Sequence, residues 1–384
     1  MMKESMRVAM VGPFGFRPKK TMRARAFRLA QALVAQGQQV AIFMPPWHTP
    51  DEADRTWSED GVRLRYVALG GGPVAIIGRL CREVSAWQPD VVWLFKPKAY
   101  SALVGEWFWQ TARQRLRLVM DSDDWEGWGG WNEREPYPRP LKHFFAWQER
   151  RGMAHCHALT VASRALETLA WGQGIPPQQV HYLPNGSGLT LPDPPLVVGA
   201  DRPTLLLYSR FFEFDNTRLI AILERVRQPV PQVRLRVVGA ALTAEEGAEF
   251  GRLLTRHALD GMVEALGWLP EEEVPAALAS ADVGLYLMDD TLINRTKCPV
   301  KLADMAAIGL PIAGEAVGQV AEYVQDGRTG LLRPSGDVDG VAADVVALLE
   351  SAEMRTRFGT AARQHMAQFR QERLAQLALV ALRS

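Results

Sequence analysis

Along most of this chain, short apolar runs alternate with segments whose apolar residues return at helical spacing. Strand then crossover helix, repeated, is the pattern of a parallel sheet wound on both faces. In the first half the runs fall at residues 7–11, 39–44, 62–67, 90–95, 117–121, 158–161 and 180–183. A proline-rich stretch, 189–203, holds Pro192, Pro194, Pro195 and Pro203 and reads as a linker. Beyond it strands are expected at 204–208, 234–238, 263–266, 283–287, 311–313 and 330–332, and helical spacing then runs from 338 to 382 with only Gly340 and Gly359 interrupting. The pattern predicts two successive α/β units, each a Rossmann-like doubly wound sheet. Ligands of such sheets bind beyond the carboxyl ends of the strands, so two units facing each other across a linker are expected to form an interdomain cleft.

Composition narrows the class. A length of 384 residues exceeds what one core usually supports, and 47% hydrophobic with 23% charged residues excludes a disordered chain. The net charge of +1 gives no global field for nucleic acid, although the first 30 residues hold eight Lys or Arg against one Glu. Cys81, Cys156 and Cys298 show neither metal-ligand nor disulfide spacing, which suits a reducing compartment. No apolar run approaches a membrane span, and a strand begins at once without a signal peptide, so a cytoplasmic location is expected.

Residues 296–332, TKCPVKLADMAAIGLPIAGEAVGQVAEYVQDGRTGLL, carry the most chemistry. Pro299 suits a first helical turn, so the backbone N–H groups starting at Val300 and Lys301 are placed to hold a diphosphate. Asp304, about one turn on, offers a carboxylate to ribose hydroxyls. Gly309 then permits a left-handed helix end and Pro311 blocks continuation. An ordinary α/β helix with a surface Asp is the competing account of these residues. The run Lys301, Leu302, Asp304, Met305, Ala306, Ala307, Gly309, Pro311 and Ile312 resembles the donor-binding segment of family 4 glycosyltransferases, which are retaining, metal-independent enzymes of GT-B architecture. That family spaces two glutamates eight positions apart. Here those positions are Thr296 and Asp304.

The resemblance extends along the chain. Ser163, Gly174, Pro176, Pro184, Asn185 and Gly186 match a family segment ahead of the linker, with Ser163 as a helix cap and Asn185-Gly186 as turn chemistry. Arg210 matches an arginine that neutralises the departing diphosphate, while the family's following lysine is Asp215, leaving Arg218 or Lys301 to substitute. Gly239 and the Gly267-Trp268-Leu269-Pro270 turn resemble the parts that pack around the nucleobase. The first loop, with Gly12 and Gly15, is neither G-x-G-x-x-G nor a P-loop. Its counterpart in the family faces the donor phosphates and the acceptor, where Arg17, Lys19, Lys20 and Arg23 would add positive charge.

After the strand at 117–121 the family often places a histidine. This chain has Asp121, Asp123 and Asp124 there. Paired carboxylates can accept sugar hydroxyls or a proton from an acceptor, or merely cap the next element. Trp125 and Trp128 follow among Gly127, Gly129 and Gly130, and they are read as an aromatic platform for an acceptor. With the basic N-terminal segment, this loop also offers peripheral contact with the inner membrane face.

The expected organisation is an acceptor domain at 1–188, a donor domain at 189–363, and a last helix, 364–384, returning to the first. The expected catalytic residues are Asp123, Asp124 and Arg210. Donor contacts fall on Gly12, Gly15, Arg210, Gly239, Trp268, Leu269, Pro299, Val300, Lys301 and Asp304, and acceptor contacts on Arg17, Lys19, Trp125 and Trp128, with no metal or cofactor. The partners implied are a nucleotide sugar and a saccharide or lipid-linked acceptor, with no nucleic acid. A non-catalytic sugar-binding protein and a nucleotide-sugar epimerase are the alternatives.

Overall fold

The computed structural model describes residues 5–18, 21–189 and 202–384 and divides into two compact units. One gathers Met1–Asn185, Thr296–Cys298 and Gln371–Ser384; the other gathers Gly186–Arg295 and Pro299–Arg370. Lys19, Lys20 and the prolines Pro192, Pro194 and Pro195 lie outside the described residues.

In the first unit, β1 (Arg7–Val11), β2 (Gln39–Met44), β3 (Arg55–Glu59), β4 (Val62–Tyr66), β5 (Val91–Phe95), β6 (Arg117–Ser122), β7 (Ala158–Val161) and β8 (Val180–Tyr182) form one sheet. Its order is β3-β4-β2-β1-β5-β6-β7-β8, parallel except where β3 runs against β4. Strand β3 was not expected from the sequence. Its run RTWSE has one large apolar residue, Trp57, because an edge strand needs little apolar alternation and its charges discourage pairing with another chain. Val8, Met10, Ile42, Trp93 and Phe95 build the core, and Leu374, Ala378, Leu379 and Leu382 of the helix Gln371–Arg383 complete it.

The second unit holds β9 (Thr204–Tyr208), β10 (Arg234–Val238), β11 (Val263–Gly267), β12 (Val283–Tyr286), β13 (Ile312–Glu315) and β14 (Gly330–Arg333), parallel throughout, in the order β11-β10-β9-β12-β13-β14. The periodic run 338–382 proves to be three α-helices, Val338–Glu350, Ala352–Met366 and Gln371–Arg383, with a 3-10 turn at Ala367–Phe369 before the last. Ser351 accepts from the Met354 N–H and starts the second of them, and residues up to Arg370 belong to this unit, so the return to the first begins at Gln371 rather than 364. Gly359, which looked like an interruption, is a contact point. A Cβ there would lie 2.3 Å from the Gly309 carbonyl oxygen, and Gly309 itself is left-handed at φ +83°. Among the described residues no helix is long and apolar enough to cross a membrane.

Candidate active site

In the second unit the candidate residues gather at the carboxyl ends of β9, β10 and β11. Phe211, just beyond β9, is left-handed at φ +64°, a costly conformation for an aromatic residue, and its N–H donates to Ser209 Oγ at 2.9 Å. That turn sets Arg210. Its guanidinium lies 4.8 Å from the Phe212 ring and 4.0 Å from Glu213, and its Nε makes no hydrogen bond among the described residues. Gly239, at φ +100°, lets neighbouring strand ends touch: a Cβ would sit 2.3 Å from the Ser209 carbonyl, and the Gly239 N–H donates to the Gly267 carbonyl at 2.7 Å. Trp268 is 52% exposed, with Leu269 half-buried beside it. The Lys301 ammonium stands 4.8 Å from the Trp268 ring and 5.2 Å from that of Tyr208. Pro299 precedes the helix Val300–Ala307, as its ring favours.

Asp304 departs from expectation. It is buried, and its Oδ1 accepts from Ser187 Oγ at 2.8 Å and from the Gly188 N–H at 2.6 Å. The carboxylate read as a ribose contact therefore fastens the chain that follows Gly186. Arg218 is likewise engaged, by Asp289 at 2.8 Å and Glu315 at 3.0 Å. Glu315 gave no signal in the sequence. Fully buried at the end of β13, it accepts from the Met288 and Gly336 N–H groups, both at 2.7 Å, and ties three loop ends together. Burial raises its pKa against those donors and Arg218.

The first unit places Asp121, Asp123 and Asp124 in distinct roles. Asp121 is fully buried, forms a bidentate pair with Arg25 at 2.7 Å on each oxygen, and accepts from Thr160 Oγ1 at 2.6 Å. It is structural. Asp123 and Asp124 instead meet Lys96, which stands just past β5 in the left-handed region at φ +62°. Its ammonium lies 3.0 Å from Asp123, 3.4 Å from Asp124 and 2.9 Å from Glu126, and Lys98 adds a contact to Glu126 at 2.8 Å. Burial disfavours the Lys96 charge, but the three carboxylates outweigh it and hold its pKa well above the ordinary value. Burial likewise works against Glu126, yet the two lysines bring it down to about 2. At Asp124 burial wins over Lys96 and the pKa rises, with the Asp123 and Glu126 charges acting in the same direction. Behind the cluster sits Glu149, fully buried and raised well above the usual range by burial and by the Glu126 charge. Lys96, Lys98, Glu126 and Glu149 were missed by sequence reasoning. The available signal was a lysine directly after an apolar strand, where doubly wound sheets put their chemistry.

The aromatic loop divides. Trp125 is buried, its Nε1 donates to the Trp128 carbonyl at 2.7 Å, and a Cβ on Gly127 or Gly130 would come within 2.6 Å or 2.1 Å of it. The glycines thus make room for Trp125, which presents no face to an acceptor. Trp128 is 41% exposed and edges His143 at 5.0 Å. Gly12 and Gly15 are also buried, packed on Met22 and Tyr66. Arg17 and Arg23 pair with Glu52 and Glu59, and Arg25 is buried, so much of the N-terminal positive charge is spent within the unit. Asn185 does more than turn the chain: its Nδ2 donates to the Cys298 carbonyl at 2.9 Å, while Ser163 Oγ donates to that of Thr296 at 2.7 Å.

Comparison with known sequences decides the family. A profile of the Glycosyl transferase 4-like domain matches residues 20–186, and one of the Glycosyl transferases group 1 matches residues 202–351. The chain belongs to the family 4 glycosyltransferases. This glycosyltransferase is 23% identical over 366 residues to the phosphatidyl-myo-inositol mannosyltransferase of Mycobacterium leprae, covering 92% of this chain and 90% of that one. It is 29% identical over 164 residues to the N-acetyl-alpha-D-glucosaminyl L-malate synthase of Bacillus anthracis, a match spanning 42% of this chain and 41% of the relative. Its two parallel-sheet domains have the GT-B fold, shared with HepE of Anabaena, solved in complex with UDP and glucose, at a TM-score of 0.70 and 16% identity over 98% and 99% of the two chains.

Proposed function

We propose that this glycosyltransferase moves a sugar from a nucleotide-diphosphate sugar to a saccharide or lipid-linked acceptor, with retention and without a metal. The observation that carries the donor side is that Arg210, just past β9, and Lys301, over Tyr208 of β9 and exposed Trp268, stand at the same sheet edge. As the sugar C1–O bond breaks, negative charge grows on the leaving diphosphate, and two cations with the N–H groups at the start of the helix Val300–Ala307 meet it. The acceptor oxygen forms the new bond to C1 and loses its proton, for which Asp124 is the proposed base. Metal independence is favoured because Lys96 already neutralises the carboxylates that a divalent ion would need. On this reading residues 1–188 take the acceptor and residues 189–363 the donor. A cytoplasmic setting is favoured by three cysteines that are all buried and free.

A thermal-shift screen of nucleotide sugars identifies the donor, since a ligand at 100 times its dissociation constant stabilises by about 2.7 kcal/mol. Turnover with that donor and a panel of saccharide and lipid-linked acceptors, followed by NMR of the product's anomeric proton, tests transfer and retention together. Turnover is expected to survive chelation. Donor hydrolysis with no transfer to any acceptor, inversion at C1, or rescue of a chelated enzyme by Mg²⁺ would each overturn its part of the proposal.

A further inference from the structure

The helix Arg139–Ala154 presents a solvent face of large aromatics flanked by cations. His143, Phe144, Trp147 and Arg150 are all exposed, with Arg151 half-buried alongside, at the spacing of one helical stripe. Phe144 and Trp147 stack at 5.8 Å and 20°, and the Arg151 guanidinium covers Trp147 at 5.5 Å. Neighbouring elements extend the patch: Trp128 against His143, and exposed Trp107 on the helix Ala99–Ala112, which packs on this one. Water-exposed Trp and Phe in such a group are costly to maintain without a use.

Charge says what would cover them. The helix carries Arg139, Lys142, Arg150 and Arg151 and a single acid, Glu149, which is fully buried. Glu106 engages Arg151, which leaves the other three cations around the aromatic stripe. Large aromatics flanked by cations, with no exposed acid on the same helix, match a bilayer interface with anionic headgroups: rings enter the headgroup boundary and arginines meet phosphates. We propose that this helix face, with Trp107 and Trp128, is a docking surface for an anionic phospholipid membrane. It replaces the N-terminal basic segment as the source of attraction, since Arg17, Arg23 and Arg25 are paired within the unit.

The test is co-sedimentation of the full chain with vesicles of phosphatidylcholine alone or mixed equally with phosphatidylglycerol. No donor or acceptor is added, so the outcome is independent of the transferase reading. Binding is expected to the mixed vesicles only and to weaken with salt. Arg139→Gln and Arg150→Gln should each weaken it roughly fivefold, and Phe144→Ser with Trp147→Ser should abolish it, while Val380→Ser on the helix Gln371–Arg383 leaves it unchanged. Equal binding to both vesicle types, or full binding by the arginine variants, overturns the proposal. So does a concentration-dependent dimer in light scattering that Trp147→Ser disperses, because the face would then serve a second copy of the chain.

Discussion

Replacing Lys96 by Met isolates the electrostatics of the first-unit cluster. The ammonium is 8% exposed and faces three carboxylates at 3.0, 3.4 and 2.9 Å. At an effective dielectric constant near 20, each such contact is worth about 5 kcal/mol of gross attraction, and desolvation of the lysine offsets much of the total. Removing the partner leaves the carboxylates buried together with Lys98 beside Glu126 and Lys297 acting on Asp124, and uncompensated buried charge costs about 3–5 kcal/mol. For a unit of this size that is a fall of roughly 6–20 °C in melting temperature. The pH dependence fixes the cause. In the wild type the raised Lys96 pKa keeps it charged in both folded and unfolded chains from pH 5 to 8, so its contribution is constant there. In the variant the carboxylates acquire folded pKa values above their unfolded ones. Their penalty is therefore small at low pH and grows as pH rises, so the deficit should be larger at pH 8 than at pH 5. Calorimetric melts at the two pH values measure this, and adding Glu126→Gln should recover part of the loss at pH 8. A variant melting within about 2 °C of wild type at pH 8, or a deficit independent of pH, would show that water already screens the cluster and refute the reasoning.

Arg210→Ala should weaken nucleoside-diphosphate binding roughly 10- to 100-fold, the worth of one charged hydrogen bond, while Asp123→Ala leaves it nearly unchanged; calorimetric titration distinguishes them. Trp125→Ala empties a packed site and should cost about 3–5 kcal/mol in denaturant unfolding, whereas Trp128→Ala should leave stability within about 0.5 kcal/mol and lower transfer instead. Glu149→Gln should raise the melting temperature at pH 8. Its folded pKa lies above the unfolded one, so the wild-type acid is at its most favourable below about pH 4.3 and becomes a burden as pH rises; the gap between variant and wild type should close toward pH 4.

The sheet strands were legible because each buried parallel strand is a short apolar run, and β2, β7, β9 and β10 match their expected ranges to the residue. What escaped was whatever has no local period. The edge strand β3 is polar, and the break at Ser351 is a cap hidden inside periodic residues. The site was legible in kind but not in pairing. Lys301 meets Trp268 and Tyr208, with Arg210 just beyond the same strand β9, because parallel strands end on one edge, which the order of elements implies. That Lys96 would stand among Asp123, Asp124 and Glu126 depends on β5 lying beside β6, and no spacing along the chain encodes a contact 27 to 30 residues apart. Trp125 misled because Gly127 and Gly130 suggested an open loop, when their missing side chains are what allows the indole to pack.

One departure from the family pattern in the donor unit has a local structural account. Asp215, where the family has lysine, is spent as a cap: its Oδ1 accepts from the Thr217 N–H at 2.8 Å and begins the helix Asn216–Arg227. That helix carries Arg218, whose charge is taken by Asp289 and the buried Glu315. Releasing Arg218 to a ligand would strip the carboxylate that holds the Met288 and Gly336 loops, so this arginine is a poor substitute for the absent lysine. Lys301, on the helix Val300–Ala307, is another cation near this sheet edge. It rests on two aromatic faces, which hold an ammonium in place while taking little of its charge. On the proposed reading, Lys301 supplies the cation lost at Asp215, one residue inside a helix whose N-terminus would present the same electrostatic sign to a diphosphate.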